Sequence, residues 1–248
     1  MSTTTEVKSM LSYHGDESIK QKYIARMQAH MDADELMQGV GFEKNGVTRG
    51  CAIGCTLDRY DHKGFEIELG IPRILARLED RIFEGLSVED SKGFPIVFLR
   101  AIPVGADLSN IYKKFFIWML VDAADGVIKF AKKEATKVAI TNVANLLAKS
   151  LLEKVTSEEF REVARAARNA YAAYADADAA AYAAAAYAAA AAYAAYAAYA
   201  AYAAYAAAAA YAAYAAAAAY AAAAAAADAR KKSFKKMADK LIELLAAA

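Results

Sequence analysis

Half of this chain lacks every residue that breaks a helix. All 12 glycines and all three prolines lie at or before Gly126. Residues 127–248 therefore hold nothing that forces a tight turn. Charge is missing over a long stretch as well, because residues 179–227 contain only alanine and tyrosine. Overall charge is nearly absent too: 30 Lys and Arg against 29 Asp and Glu leave a net +1. That balance gives the whole molecule no electrostatic case for nucleic acid or an anionic membrane. Cysteine is scarce, with two in the chain. The opening Met1–Glu6 carries no apolar run, so no secretory leader is expected. Together these point to free thiols in a reducing, cytoplasmic setting.

What is present divides the chain in two. Residues 1–125 read as a globular helical domain with many turns. Asp16 caps an expected helix over 17–38, closed by Gly39, with Ile19, Tyr23, Met27, His30 and Asp34 on one face. Asn45-Gly46 is a two-residue hairpin signal inside 40–51. Pro72 opens a helix to Glu84, stopped by Gly85. Further helices are expected over 89–101 and, capped by Asp107, over 108–124. Residues 126–155 form a linking amphipathic helix. Thr156 and Glu159 have capping-box spacing, and nothing interrupts a helix from there to the end. Unbroken, 157–245 would span about 130 Å at 1.5 Å per residue.

From Tyr187 onward the tyrosines, including Tyr193, Tyr196, Tyr199, Tyr202, Tyr205, Tyr211 and Tyr214, share one phase of a three-residue period. An α-helix does not align such a period, so the rings wind around it. Alanine's helix propensity still favours α-helix; stacking of the polyalanine as β-structure is the rival. The spacing is also what slippage of a nine-nucleotide unit would produce. A helix apolar all round is buried in a larger assembly. A transmembrane reading fits by length, but tyrosine prefers the membrane interface to its centre. The expected fold is therefore all-α: a helical N-terminal domain, then a very long Ala/Tyr helix over 156–248, packed with copies of itself in a bundle or filament. Its end, with Lys231, Lys232, Lys235 and Lys236 interleaved with Phe234, Leu241 and Leu245, is a basic amphipathic helix. That helix suits a solubilising cap, or attachment to a membrane surface.

Candidate chemistry is confined to the first half. Cys51, Cys55 and His62, with His14 elsewhere, offer thiol and imidazole ligands for zinc. Two small thiols in a core are the plainer reading. Cys51 with His62 as base is a nucleophile candidate, and Glu79, Asp80 and Glu84 are candidate carboxylate ligands. His30 and Asp34, one turn apart, suggest a simple ion pair. There is no phosphate-binding glycine loop and no dinucleotide fingerprint.

Several stretches carry a resemblance. Tyr13-His14-Gly15-Asp16, Gly50-Cys51-Ala52-Ile53-Gly54-Cys55-Thr56, Asp61-His62, Glu68-Leu69-Gly70-Ile71-Pro72, Leu78–Leu86 and Ala101–Ser109 resemble a group of bacterial and phage-encoded proteins of unassigned activity. These join such an N-terminal region to an alanine-rich tail. The resemblance covers roughly residues 10–122 and implies no reaction. The functional expectation is a structural or interaction protein that homo-oligomerises through the Ala/Tyr helix. The alternatives are a small metal- or thiol-dependent enzyme oligomerised by that tail, and a membrane-surface scaffold using residues 230–245.

Overall fold

Asp16 opens the first helix as the sequence predicts: its carboxylate accepts from the Ser18 amide at 2.7 Å, satisfying a donor that the helix itself leaves unpaired. In this computed structural model, residues 10–44, 46, 48–131, 134–156, 158–163, 165 and 227–248 are described. They contain eight helices: α1 (Glu17–Asp32), α2 (Ala52–Leu57), α3 (His62–Leu69), α4 (Arg73–Gly85), α5 (Val88–Ala101), α6 (Ile111–Val121), α7 (Glu134–Leu152) and α8 (Ala227–Ala246). The strands β1 (Phe42–Lys44) and β2 (Thr48–Gly50) pair antiparallel, with Phe42 opposite Gly50. The all-α expectation thus holds for most of the fold, with this small hairpin added. Its register pairs Lys44 with Thr48, which leaves three residues between the strands where the Asn45-Gly46 signal called for two.

The sequence places the end of the first helix too late. Asp34 takes the left-handed conformation with φ 54°, and Leu36 bridges to Gly50. The chain leaves the helix to meet β2, a long-range pairing that local propensity does not reveal. His30 and Asp34 consequently do not pair. His30 lies between Glu35 (Nδ1 to Oε2, 2.5 Å) and Asp58 (Nε2 to Oδ1, 3.0 Å), and Asp34 pairs with Lys92 at 2.9 Å.

The start of the described chain is strapped to the loop after α5. The Ser12 amide donates to Ala106 O at 3.0 Å, and the Ser12 hydroxyl accepts from the Ala106 amide at 2.9 Å. Tyr13 adopts a left-handed backbone, sustained by full burial and by its hydroxyl, which donates to Leu99 O at 2.6 Å. Gly70, at φ +62°, admits this strap: a Cβ there would lie 2.1 Å from Leu11 O.

The capping box forms as its spacing predicts. The Thr156 amide donates to Glu159 Oε2 at 2.7 Å, and the Glu159 amide donates to Thr156 Oγ1 at 3.2 Å. Phe160, one residue on, is 1% exposed in the core.

The largest departure from expectation is α8. Its residues Phe234, Met237, Ala238, Leu241 and Leu245 follow helical spacing and are all buried, packed against α4, α5 and α6. Lys231, Lys232, Lys235 and Lys236 remain exposed. Lys235 pairs with Asp239, and Lys236 with Asp125 on the body. An unbroken straight rod over 157–245 does not fit this core: Phe160 and Phe234 share it, whereas a straight helix would hold them roughly 110 Å apart. The Ala/Tyr tract itself lies outside the described residues, as do the contact positions Tyr193, Tyr196, Tyr199, Tyr202, Tyr205, Tyr211 and Tyr214.

Burying a large apolar side chain stabilises by about 1.5–3 kcal/mol. The Phe234, Met237, Leu241 and Leu245 side chains of α8 together therefore rival the net stability of an ordinary domain, about 5–15 kcal/mol. Gly85 makes their docking possible: a Cβ on it would lie 2.3 Å from the Phe234 ring. Helix propensity alone makes Gly85→Ala stabilising by up to about 1 kcal/mol. The clash predicts the opposite sign, a loss of about 1–3 kcal/mol, and Phe234→Ala should cost about 3–5 kcal/mol. A urea-melt double-mutant cycle checks the contact. Once Phe234 is alanine, Gly85→Ala should turn neutral or stabilising by up to about 1 kcal/mol, and additive losses would contradict the seat described here.

Candidate functional site

Three chain segments meet beside the hairpin. The Cys51 amide donates to Val40 O at 2.7 Å, which fixes Cys51 as the extended residue just before α2. Gly54 lets α2 lie directly on the preceding loop: a Cβ there would be 2.0 Å from Gly41 O. Asp61 caps α3 by accepting from the Lys63 amide at 2.9 Å, which sets His62 as the first residue of that helix. Asp80 and Glu84 stand one turn apart on α4 and face both.

Asp80 is the centre. Its Oδ2 lies 3.0 Å from His62 Nε2 and accepts from the Tyr60 hydroxyl at 3.0 Å. The Tyr60 and His62 rings meet edge to face at 4.9 Å. Asp80 Oδ1 is buried and has no hydrogen-bond partner. Glu84 Oε2 accepts from the Gly39 amide at 2.7 Å. Cys51 Sγ, a carboxylate oxygen of Asp80 and one of Glu84 all lie within 4.8 Å of one another. Cys51, Tyr60, Asp80 and Glu84 line an open pocket of about 500 Å³, with Arg81 also on its wall.

The electrostatics follow from this crowding. Burial, then the Asp80 charge, pushes the Cys51 thiol well above its ordinary range. Burial likewise raises the Glu84 carboxyl, against the Gly39 hydrogen bond that lowers it. A thiol so placed stays protonated at neutral pH and is a poor nucleophile without an added positive charge.

The four zinc candidates are not gathered. Cys51 and His62 both reach Asp80, but Cys55 and His14 face elsewhere. Cys55 Sγ donates to Gly50 O at 3.4 Å, and burial pushes its thiol up to about 12. His14 Nε2 lies 3.1 Å from Ile67 O. Cys51 and Cys55 would share a face only if both were helical, and Cys51 is extended. Nor does His62 work with Asp61, which caps α3 and pairs with Arg59 at 3.4 Å. The carboxylate trio also divides: Asp80 and Glu84 enter the pocket, whereas Glu79 is fully buried. The i, i+4 spacing of Asp80 and Glu84 was legible as one helical face. The convergence of Cys51, Tyr60 and His62 upon it was not.

No protein-family model, curated protein or solved structure matches this chain. Among the described residues no helix is long and apolar enough to cross a membrane.

Glu79 gives the domain a testable pH response. Both its carboxylate oxygens are buried without a partner, and burial, then the Asp80 charge, raises its pKa well above the usual 4.5. Below the ordinary glutamate range the acid is protonated whether the chain is folded or not. Above it only the unfolded chain releases the proton, so stability falls as pH rises until the folded group titrates. The slope is about 1.4 kcal/mol per pH unit per proton. Glu79→Gln, neutral throughout, should gain stability over wild type between pH 5 and 8 in urea melts. An equal difference at both pH values would contradict this.

Proposed function

We propose that this is a structural or interaction protein that self-associates through its Ala/Tyr tract, with the helical body as the platform presenting it. One observation supports the reading above the others. The residues flanking the uncharged tract, Phe160 and Phe234, are both buried in the same core, so the tract is anchored to one body on either side. An uncharged, alanine-rich helical segment needs a covering surface, and alanine with tyrosine offers close approach and large contact area to a second copy.

The anchoring decides the experiment. Truncation at residue 170 would remove α8 and open the core, confusing unfolding with loss of assembly. Excision of 171–226, bridged by a Gly/Ser linker, keeps Phe160 and α8. Light scattering should give the full chain a mass several times that of one chain and the excised protein the mass of one. The same mass multiple for both would contradict assembly through the tract.

A second reading, a small metal- or thiol-dependent enzyme, is favoured by the convergence of Cys51, Asp80, Glu84 and Tyr60 on one pocket, with His62 against Asp80. Its thiol form is opposed by the raised Cys51 pKa. The membrane-surface reading is weakened by α8: the Phe234, Leu241 and Leu245 side chains it would insert are buried, and Lys235 and Lys236 are paired.

A further inference from the structure

We propose that Cys51, Asp80 and Glu84 hold a single divalent cation of the zinc class, supported by His62. This goes beyond the assembly reading, whose success or failure it leaves untouched. It would supply the metal form of the second reading.

Two observations beyond the clustering of acids point to a ligand. The Cys51 side chain is 1% exposed, yet its Sγ is buried within reach of two carboxylates rather than among apolar side chains alone. Asp80 Oδ1, in the same cluster, is buried with no hydrogen-bond partner, a state that normally costs free energy. A cation would give Asp80 Oδ1 a partner and draw the thiol sulfur and both carboxylates to one centre. Arg77 and Arg81 bring positive charge near Asp80 and Glu84 respectively, but Arg77 Nε is itself buried and unbonded, so it does not satisfy Asp80 Oδ1.

The geometry and donor set fit zinc. Atoms around a tetrahedral zinc, bound at about 2.0–2.3 Å, sit roughly 3.5 Å apart. The three donor atoms lie within 4.8 Å, so side-chain rotation can close the set. One sulfur with two carboxylates suits zinc and excludes magnesium and calcium, which take oxygen alone. Binding replaces the Cys51 S–H proton, which passes to solvent, by an S–metal bond. Three protein ligands leave the fourth position facing the pocket, where water or a substrate oxygen fits. His62, 3.0 Å from Asp80 Oδ2, is a positioning residue that orients this carboxylate from behind.

The test uses the full chain, stripped with chelator and titrated with zinc against a chromophoric competitor, then with cobalt(II). Binding of one equivalent is expected, with a thiolate-to-cobalt charge-transfer band. Cys51→Ser should lower affinity by about 100-fold or more and abolish the band. His62→Ala should weaken binding about 10–100-fold with the band retained. Cys55→Ser should leave both unchanged. Should Cys51→Ser not fold, the cobalt spectrum of wild type and the affinity of Glu84→Gln decide. Substoichiometric zinc, a cobalt spectrum without the thiolate band, or full affinity in Cys51→Ser or Glu84→Gln would overturn the proposal.

Discussion

The packing of the C-terminal helix onto α4, α5 and α6 is the constraint on which the rest of the structure depends. Phe234 enters the gap that Gly85 leaves, and Met237, Leu241 and Leu245 continue the same buried stripe. α4 is thereby held between two neighbours with different roles. Its Gly85 end receives α8, while Asp80 and Glu84 face the hairpin side and the starts of α2 and α3. Loss of α8 would therefore reach the pocket through α4, although no residue of α8 lines it.

This arrangement changes the meaning of the low-complexity tract. A tail that merely extends from a domain can be cut without consequence to the fold. Here the last helix belongs to the core, so the tract joins two parts of one hydrophobic unit. Its lack of charge is then a property of a segment whose two flanks both lie in that unit. The lysines of α8, paired in part with Asp239 and Asp125, read as the solvated face of a core helix.

Much of the fold was legible where the cause is local. Asp16 as a cap, Pro72 before α4, a hairpin near Gly46 (though not with the two-residue loop the dipeptide signals) and the Thr156–Glu159 box are each decided within a few residues, and the structure has them. What sequence reasoning missed is long-range. The end of α1 is set by pairing with Gly50, and Gly85 is a contact for Phe234 as well as a helix stop. The stripe of α8 fits a cap, a membrane surface or a core equally well until its neighbours are known. The pocket follows the same division: Asp80 and Glu84 share a readable helical face, while Cys51 and His62 meet them only through the packing of α2 and α3.

The most direct test of this account is thermal unfolding of a chain ending at residue 226, compared with the full chain by near-ultraviolet circular dichroism. With α8 in the core, the shortened chain should lose its cooperative transition or melt far lower, with its aromatic signal collapsed. An unchanged midpoint and spectrum would show that the domain closes without α8, and would contradict the account at its base.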